Sequence, residues 1–360
     1  MANNEDGLID LRNQLDNIDD QLLTLINNRM KVVHQVGALK AKSGGAIYRP
    51  EREKAIIDRL ENLNNQNNGL LNRSAIEALF LEIFAISRNL ELPENIAYLG
   101  PEGSFTHQAA EARFGAMSAY LPIHSIKGVF REVSSKKAKF GVVPIENSSN
   151  GIVSDTINCL SEYNLKIIAE VVLDIHHTLS SNCDKVKDIK KIYSKDIAFE
   201  QCSKFLADTG LDEVEHIPVE STTKAAKYAV NEPNSAAICP HVGAKLHNLP
   251  ILFENIEDTD NNKTRFFIVS DFENAQSGND KTSILVKLPD RQGALVDFLN
   301  DFNDAGINLT KIKSHITGGN SIFFIDFDGH KDDENVKKVL LKHSESVKVL
   351  GSYVKEINDI

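Results

Sequence analysis

The amino-acid sequence predicts a multidomain protein that consists of an all-helical segment, an α/β segment and a small α+β segment. Three observations carry this prediction. Apolar residues recur in steps of three and four over residues 8–40, and short β-like runs alternate with helical stretches after residue 95. Residues 281–360 then follow the order β-α-β-β-α-β. At 360 residues, the chain is long enough for two or three domains, each with its own core.

The composition is that of an ordinary globular protein, with 25% charged and 41% hydrophobic residues. The net charge of -11 argues against nucleic acid or a membrane surface as a partner, since both need excess Lys and Arg, but a local arginine cluster can still hold a small anion. The four cysteines show no metal-ligand spacing, which predicts reduced thiols. With an acidic N-terminus and no long apolar run, we expect a cytoplasmic protein without signal peptide or membrane span.

The first segment, residues 1–92, carries a heptad seam on one predicted helix over residues 8–40. The seam positions are Leu8, Leu11, Leu15, Ile18, Leu22, Leu25, Arg29, Val32, Val36 and Leu39. Such a helix is about 50 Å long, and a small domain cannot bury so long a stripe by folding back once. The seam therefore predicts a homodimer with two intertwined helices, and a higher oligomer stays open. Pro50 suits the start of a second helix, and a third is predicted over residues 73–91.

Residues 95–272 form the predicted α/β domain, with a mostly parallel sheet. Its strands are predicted at IAYLG, KFGVVPI, LKIIAEVVL, KKIYS, SAAIC and RFFIVS, and helices at 123–137 and 222–231. The polar linker FENAQSGNDK leads to the third domain, residues 281–360. Its order of elements predicts a small ferredoxin-like sheet with helices on one face.

One charged residue of the helical segment stands where an apolar residue is expected. Arg29 occupies a seam position, so either the helix is solvated there or an anion is bound, because an unpaired buried guanidinium is costly. The other charged residues that favour a bound anion are Arg12, Lys40, Arg49, Arg52 and Glu53. Two helices of a dimer could focus these cations into one pocket that suits a small dicarboxylate. Ser87 and Glu91 continue the apolar face of the third helix towards the same interior.

The stretch GVVPIENSSNG, residues 141–151, changes from apolar to polar where a strand should end. Ligands of open α/β sheets bind beyond the carboxyl ends of strands, which makes Glu146, Asn147 and Ser148 candidates for a site. A polar turn with an N-cap is the alternative. In NKTRFF, Thr264 offers a hydroxyl and Arg265 a charge just before another apolar strand, with an exposed strand edge as the alternative.

Taken in order, these motifs resemble those of a known enzyme family. LRNQLDNIDDQLLTLINNRMKVVHQVGALK with RPEREK resembles the all-helical chorismate mutase domain. YLGPEGSFTHQAA, GVVPIENSSNG, ESTTKAA and NKTRFF resemble prephenate dehydratase, and GALVDFL with GINLTKI is similar to an ACT regulatory domain. Nearly the whole chain is thus similar to the bifunctional chorismate mutase/prephenate dehydratases. The resemblance implies an intertwined all-α dimer, a bilobed domain like periplasmic binding proteins, and a ferredoxin-like ACT domain.

For the first domain, the resemblance implies a chorismate site that needs no nucleophile, base or metal. Its implied members are Arg12 from the partner subunit, Arg29, Lys40, Arg52, Glu53, Ser87 and Glu91. The cations would bind the two carboxylates and the ether oxygen, where the breaking C–O bond gathers negative charge. Glu53 would hold the substrate hydroxyl, and Lys40 and Glu91 would act on the breaking bond.

For the second domain, the family resemblance implies a prephenate site in the cleft between two lobes. The implied contacts are Glu146, Asn147, Ser148, Ser194, Gln201, Glu220, Ser221, Thr264 and Arg265, with Gly100 to Phe105 as one wall. Thr264 would donate a proton or a hydrogen bond to the departing hydroxyl, and Arg265 would bind a carboxylate or order the loop. Where the family often has Ser-His-Pro, this chain has Ser194-Lys195-Asp196, a departure that affects the second-lobe contacts.

For the third domain, the family resemblance implies phenylalanine as an inhibitor, bound by Gly293, Ala294, Leu295 and Ser314. Gly293 would allow close backbone approach. The family's second motif commonly reads Glu-Ser-Arg-Pro, whereas residues 313–316 here are Lys-Ser-His-Ile, so only the serine is kept. A purely structural dimerisation domain is therefore the alternative.

The resemblance implies an enzyme of phenylalanine biosynthesis whose partners are the small molecules chorismate and prephenate. We expect no cofactor and no metal ion, because His176 and His177 lack a third ligand at suitable spacing. Two other functions stay open, an arogenate-preferring dehydratase and a non-enzymatic sensor of amino acids or prephenate. Turnover rates on prephenate and on arogenate would identify an arogenate-preferring dehydratase. Tight prephenate binding without turnover would support a sensor.

Glu91 stands where some family members have Gln, a donor to the ether oxygen. A carboxylate cannot donate, so Glu91 must be protonated to fill that role. We predict that mutase activity rises towards acidic pH and that Glu91→Gln flattens the profile. Steady-state rates across pH for both proteins test this, and an unmodified chain without an acidic rise would contradict it.

Overall fold

The computed structural model describes residues 2–43, 50–91, 95–148, 151–259, 262–317 and 320–355. The α-helices in these ranges are α1 (Ala2–Ser43), α2 (Pro50–Gln66), α3 (Arg73–Glu91), α4 (Phe105–Phe114), α5 (Ile126–Ser134), α6 (Ser154–Glu162), α7 (Asp196–Gln201), α8 (Ser203–Thr209), α9 (Thr222–Asn231), α10 (His241–Leu246), α11 (Ala294–Asp304) and α12 (Glu334–Lys342). None of these described helices is long and apolar enough to cross a bilayer.

The strands in the same ranges form three sheets. They are β1 (Asn95–Leu99), β2 (Ala119–Ile123), β3 (Phe140–Asn147), β4 (Gly151–Ile152), β5 (Lys166–Asp174), β6 (Thr178–Ser181), β7 (Lys191–Ser194), β8 (Glu215–Pro218), β9 (Ser235–Cys239), β10 (Ile251–Phe253), β11 (Lys263–Ser270), β12 (Asp280–Val286), β13 (Leu309–Thr317), β14 (Asn320–Asp328) and β15 (Val347–Val354). The first two sheets belong to the α/β domain and the third to the last domain.

Three helices form the first domain, as predicted. α2 begins at Pro50 and α3 spans residues 73–91, while α1 is longer than the expected 8–40. α2 and α3 pack through Ile57, Ile76 and Phe84. The apolar seam residues of α1 stay between 39% and 67% exposed in the single chain. The domain therefore has a small core of its own and one long uncovered apolar stripe.

The α/β domain has two lobes, but the prediction of a mostly parallel sheet is wrong. The first lobe has the strand order β2-β1-β3-β11-β5, with β4 beside β3, and the second has β10-β6-β9-β7-β8. Pairs β1/β2, β1/β3, β7/β8 and β7/β9 are parallel, and the remaining pairs of both lobes are antiparallel. The reason is connectivity: the chain crosses to the second lobe after β5, and returns after β10 as an antiparallel strand between β3 and β5.

Several short strands were not predicted, and their residues explain why. β6, with the sequence Thr-Leu-Ser-Ser, is fully buried although three of its residues carry hydroxyl groups. Thr178 donates to the carbonyl of Cys239 and Ser181 to that of Ser235, so the hydroxyls are satisfied inside the sheet. β2 and β8 lie at sheet edges and are largely exposed, which removes the apolar alternation that marks a strand.

The third domain has the predicted order β-α-β-β-α-β and the antiparallel strand order β13-β14-β12-β15. Its helices α11 and α12 cover one face of this sheet. The other face packs against the first lobe, where Phe324, Leu350 and Tyr353 share one core with Val143 and Phe267. This sheet-on-sheet contact sets the third domain directly behind β3 and β11, the two strands that lead to the cleft.

Candidate active sites

Two described chain segments connect the lobes of the α/β domain beside the predicted cleft, residues 175–177 and 254–259. The backbone N–H of Ile175 donates to the carbonyl of Asn262 over 2.7 Å, and Ile256 donates to His177 over 3.1 Å. β3 ends and β11 begins at this junction, with Asn147 directly opposite Thr264. The fold thus brings together two motifs that are more than one hundred residues apart in sequence.

The side chains of Asn147 and Thr264 are hydrogen-bonded to each other. Nδ2 of Asn147 lies 2.8 Å from Oγ1 of Thr264, 2.9 Å from Oδ1 of Asn262 and 3.2 Å from the carbonyl oxygen of Lys263. A backbone carbonyl can only accept, so it fixes the amide nitrogen of Asn147 as the donor. Asn147 therefore donates to the Thr264 hydroxyl, and within the described part of the chain the hydroxyl proton of Thr264 has no acceptor.

A β-bulge decides which side chains face the cleft. Register between β3 and β11 shifts between Arg265 and Phe266, because Phe266 pairs with Pro144 and leaves Ile145 unpaired. Directly opposed residues of antiparallel strands point to the same face. Without the bulge, Asn147 would share the face of Ile145; with it, Asn147 lies on the face of Thr264.

Glu146 and Arg265 lie on the opposite face of the two strands, which differs from the predicted position of both residues in the prephenate cleft. Arg265 is only 1% exposed, and its guanidinium contacts Asp326 at 2.6 Å and Tyr353 at 2.9 Å, both in the third domain. Glu146 is 6% exposed and forms an ion pair with Lys311. The alternation of side chains along a strand is the physical reason, since Thr264 and Arg265 are neighbours in sequence.

Ser148 contributes to the architecture of the loop. Its Oγ accepts the backbone N–H of Lys263 at 3.0 Å, and its own N–H donates to the carbonyl of Lys263 at 2.9 Å. Both bonds clamp the end of β3 to the start of β11. Ser148 therefore lies beside the Asn147–Thr264 pair and stabilises it through these backbone contacts.

The second lobe reaches the junction through Gln201. Its Oε1 lies 3.0 Å from Nε2 of His177, whose backbone N–H donates to the carboxylate of Glu257 at 2.8 Å. Burial lowers the pKa of His177, against the opposing effects of Gln201 and Glu257, so the imidazole stays neutral at neutral pH. With the amide oxygen of Gln201 as acceptor, Nε2 carries the proton. Among the described residues, no cluster of His, Cys, Asp and Glu could hold a metal ion.

The other predicted residues of the second lobe form hydrogen bonds or ion pairs within that lobe. Ser194 is fully buried and donates to the carbonyl of Ile238 over 2.8 Å. Ser221 caps α9 by accepting the N–H of Lys224, whose side chain forms an ion pair with Glu220. All three predicted residues thus have partners within their own lobe.

The loop predicted as one wall of the cleft does bridge the lobes. It begins at Gly100 and ends with Ser104, which caps α4. Gly103 has φ of +78°, and a Cβ placed there would come within 2.8 Å of Cγ2 of Thr223 at the start of α9. Only glycine suits this backbone and this separation, so Gly103 sets how closely the lobes approach.

In the helical domain, the structure brings Arg29 and Ser87 together. Nη1 of Arg29 donates to Oγ of Ser87 at 2.5 Å, and the guanidinium lies 5.8 Å from the ring centroid of Phe84. α1 and α3 therefore present a cation towards the domain interior. Arg12 and Arg52 are exposed in the single chain. The predictions for Lys40 and Glu91 fall on side chains outside the described part of the chain.

Glu53 has a partner that the sequence analysis missed. Arg88 of α3 forms an ion pair with Glu53 and also donates to the carbonyl of Phe114 at 2.9 Å, in the α/β domain. Arg88 thus links the first two domains next to the predicted chorismate residues. Asn262 was missed too, although it is the first residue of the motif NKTRFF that contains Thr264, and its place in that motif was a usable signal.

The predicted effector residues of the third domain lie on two elements. Gly293 adopts left-handed backbone, φ +82°, immediately before α11, where a side chain would be strained. Ala294 is the first residue of α11 and is buried, and Leu295 follows it. Ser314 is exposed on β13, an edge strand of the sheet.

Family models match three consecutive parts of the chain. Chorismate mutase type II matches residues 11–92, prephenate dehydratase matches residues 96–274, and the ACT domain matches residues 282–345. Among solved structures, the chain resembles the prephenate dehydratase from Arthrobacter aurescens in complex with L-Phe, at 33% identity and a TM-score of 0.66. That match covers 72% of this chain and 90% of the other. The fold and the domain matches define a three-domain biosynthetic enzyme with a regulatory module.

Whole-chain relatives give the family. The bifunctional chorismate mutase/prephenate dehydratase of Aquifex aeolicus is 38% identical over 97% of this chain and 98% of its own length. That of Pseudomonas aeruginosa is 39% identical over 98% and 99%. The chain belongs to the bifunctional chorismate mutase/prephenate dehydratase family, and it is an enzyme with both activities.

The orientation of the Asn147 amide yields a test. Asn147→Asp replaces the donor by a carboxylate, which would repel the carbonyl of Lys263 and draw the proton of Thr264 to itself. We expect the dehydratase kcat to fall by about 100-fold or more, as when one donor of a preorganised site is lost, while the mutase rate stays unchanged. Phenylpyruvate and prephenate formation report the two rates, and a dehydratase kcat close to that of the unmodified chain would contradict the assigned donor role.

Proposed function

We propose that the chain converts chorismate to phenylpyruvate in the cytoplasm at two separate sites. Residues 1–92 rearrange chorismate to prephenate, residues 95–272 decarboxylate and dehydrate prephenate, and residues 281–360 control the second step. The matched family ranges support this division. Four free cysteines agree with a reducing compartment.

The mutase step is an intramolecular rearrangement, so positioned charge suffices to catalyse it. Arg29, held by Ser87 and Phe84, would bind one carboxylate of chorismate in its reactive, chair-like conformer. Lys40, Arg52 and Glu53 complete the pocket, with Glu91 at the ether oxygen. The Arg29–Ser87 bond at 2.5 Å supports this role, because it fixes the guanidinium before a substrate arrives.

The dehydratase step breaks two bonds of prephenate, the C–C bond to the carboxylate and the C–O bond to the ring hydroxyl. The electrons of the first bond enter the ring, which becomes aromatic, and the hydroxyl departs with the electrons of the second. The hydroxyl of Thr264 would donate a hydrogen bond to this departing group. The observation that carries the proposal is the amide of Asn147, 2.8 Å from Thr264 Oγ1, which leaves the Thr264 proton directed elsewhere.

The first experiment adds chorismate to the purified chain and follows prephenate and phenylpyruvate with time. We expect prephenate to rise first and phenylpyruvate to follow it. Thr264→Val keeps the shape but removes the hydroxyl, so prephenate should accumulate with at least an ~100-fold lower dehydratase kcat, while Thr264→Ser retains turnover. Tight prephenate binding without turnover by the unmodified chain would overturn the proposal in favour of a sensor. Faster turnover of arogenate than of prephenate would identify arogenate as the preferred substrate.

We further propose that two chains pair through α1. The stripe on α1 is uncovered along its length, and a C2 dimer would bury the same stripe from both copies. In that arrangement, Arg12 of each α1 would enter the chorismate pocket of the other chain. The exposed side chain of Arg12 and the Arg29 guanidinium held by Ser87 support a site that two chains complete.

Subunit complementation tests this arrangement. Arg12→Ala and Arg29→Ala should each abolish most mutase activity in homodimers. In a co-expressed mixture, one pocket of each heterodimer carries neither change, so about a quarter of all pockets should be intact. Mutase activity near that fraction supports shared sites, and a mixture no more active than the two variants alone would contradict them. Dehydratase activity serves as the internal control.

For control of the dehydratase, we propose phenylalanine as effector at Gly293, Ala294, Leu295 and Ser314. The Arthrobacter aurescens relative is described in complex with L-Phe, which supports this ligand class for the ACT domain. Lys313 and His315 replace the residues usual in the family, so inhibition by phenylalanine needs its own measurement. Prephenate turnover that is independent of phenylalanine would favour a purely structural ACT domain.

A further inference from the structure

The ends of β3 and β11 present different chemistry on their two faces. Asn147 and Thr264 form the hydrogen-bonded pair on the cleft face. Glu146 and Arg265, directly opposed in register, lie on the other face and form ion pairs with the ACT domain. Each proposed catalytic residue is therefore covalently joined to a residue that the ACT domain holds.

Arg265 is held by groups from both domains. Its Nε lies 2.7 Å from Glu170 of β5, and its Nη1 lies 2.6 Å from Asp326 of β14. Lys281 of β12 contacts the other oxygen of Glu170 at 2.9 Å. These two cations and two anions, together with Tyr353, are all at most 1% exposed, so the anchor is rigid.

Among the described residues, the ion-pair partners of Glu146 both lie on the edge strand β13. Its Oε2 forms an ion pair with Lys311, and its Oε1 lies 3.5 Å from Nζ of Lys313. Alternate residues of β13 share a face, and His315 follows them with Nε2 at 3.2 Å from Oδ1 of Asn158 in α6. Ser314, between Lys313 and His315, lies on the opposite face of the same strand.

We propose that β13 is a positioning element of the dehydratase site: Lys311 and Lys313 hold Glu146, and Glu146 holds Asn147 against Thr264. This inference rests on the proposed role of Thr264 and adds the route by which the ACT domain controls it. Arg265 fixes β11, so a displacement of β13 moves Asn147 relative to Thr264. A ligand on the Ser314 face of β13 would then change dehydratase turnover more than prephenate binding.

Lys313 makes this link particular to this chain. The family commonly has Glu at this point, which would face Glu146 with a like charge, whereas Lys313 attracts it. The side chain of Lys313 is 46% exposed, so its pair with Glu146 is the weaker one. Lys311, with a side chain only 16% exposed, carries the larger share.

The test compares Lys311→Gln, Lys313→Gln and Lys313→Glu in the full chain, with dehydratase kcat and KM on prephenate and mutase kcat as readouts. We expect dehydratase kcat to fall about tenfold in Lys311→Gln and about threefold in Lys313→Glu, with KM and mutase kcat within about twofold. Lys313→Gln should lie between the unmodified chain and Lys313→Glu. The control is Lys338→Gln, an exposed ACT lysine paired with Glu334 at 2.7 Å, which should change nothing.

A double-mutant cycle separates positioning from direct substrate binding. If Glu146 acts through β13, Glu146→Gln with Lys311→Gln should be no worse than the stronger single change, and KM should stay unchanged. Additive losses, a raised KM in Glu146→Gln alone, or dehydratase kcat unaffected by every lysine variant would overturn the proposal. A parallel fall of mutase kcat in the exposed Lys313 variants would also overturn it, because it would indicate general damage.

The same series keeps this inference separate from the proposed function. Thr264→Val and the unmodified chain are measured beside the lysine variants. If the unmodified chain turns over prephenate and Thr264→Val does not, the function stands, and the lysine variants alone decide on β13. If the unmodified chain does not turn over prephenate, both proposals fail together.

Discussion

The ion network between the α/β domain and the ACT domain is the interaction on which the rest of the arrangement depends. Arg265, Glu170, Lys281 and Asp326 are almost completely buried, and each is paired. Burial alone disfavours the guanidinium, but Tyr353, Asp326 and Glu170 outweigh it and hold the pKa of Arg265 above its ordinary value. Removal of any partner would leave a buried charge uncompensated, so the two sheets must stay in contact.

This contact gives a strand two functions at once. One face of β11 supplies Thr264 to the cleft, and the other supplies Arg265 to the domain interface. The bulge at Ile145 lets β3 do the same with Asn147 and Glu146. The residues of the candidate cleft site and the residues that contact the ACT domain are therefore adjacent in sequence, which is a short route for coupling.

Much of the fold was predictable because local patterns were strong. The structure has the helix α3 that the spacing of apolar residues predicted, and α2 begins at the predicted Pro50. It also has β9, predicted from consecutive apolar residues, and the predicted order of elements in the ACT domain. The mixed direction of the α/β sheets was not predictable, because strand direction follows from the path of the chain between lobes. β6 was missed because its hydroxyls find partners only in the folded sheet.

The candidate site, like the fold, was predictable from the sequence only in part. The sequence by itself determined which side chains could carry the chemistry: the hydroxyl of Thr264, the amide of Asn147 and the cation of Arg29 stand in short motifs with recognisable neighbours. Only the tertiary structure decided where they point, because a bulge shifts the alternation of a strand by one residue without a mark in composition. That shift placed Glu146 at the interface and Asn147 at the cleft. Along β11, the ordinary alternation left Thr264 at the cleft, and Asp326 of the ACT domain holds Arg265 at the interface.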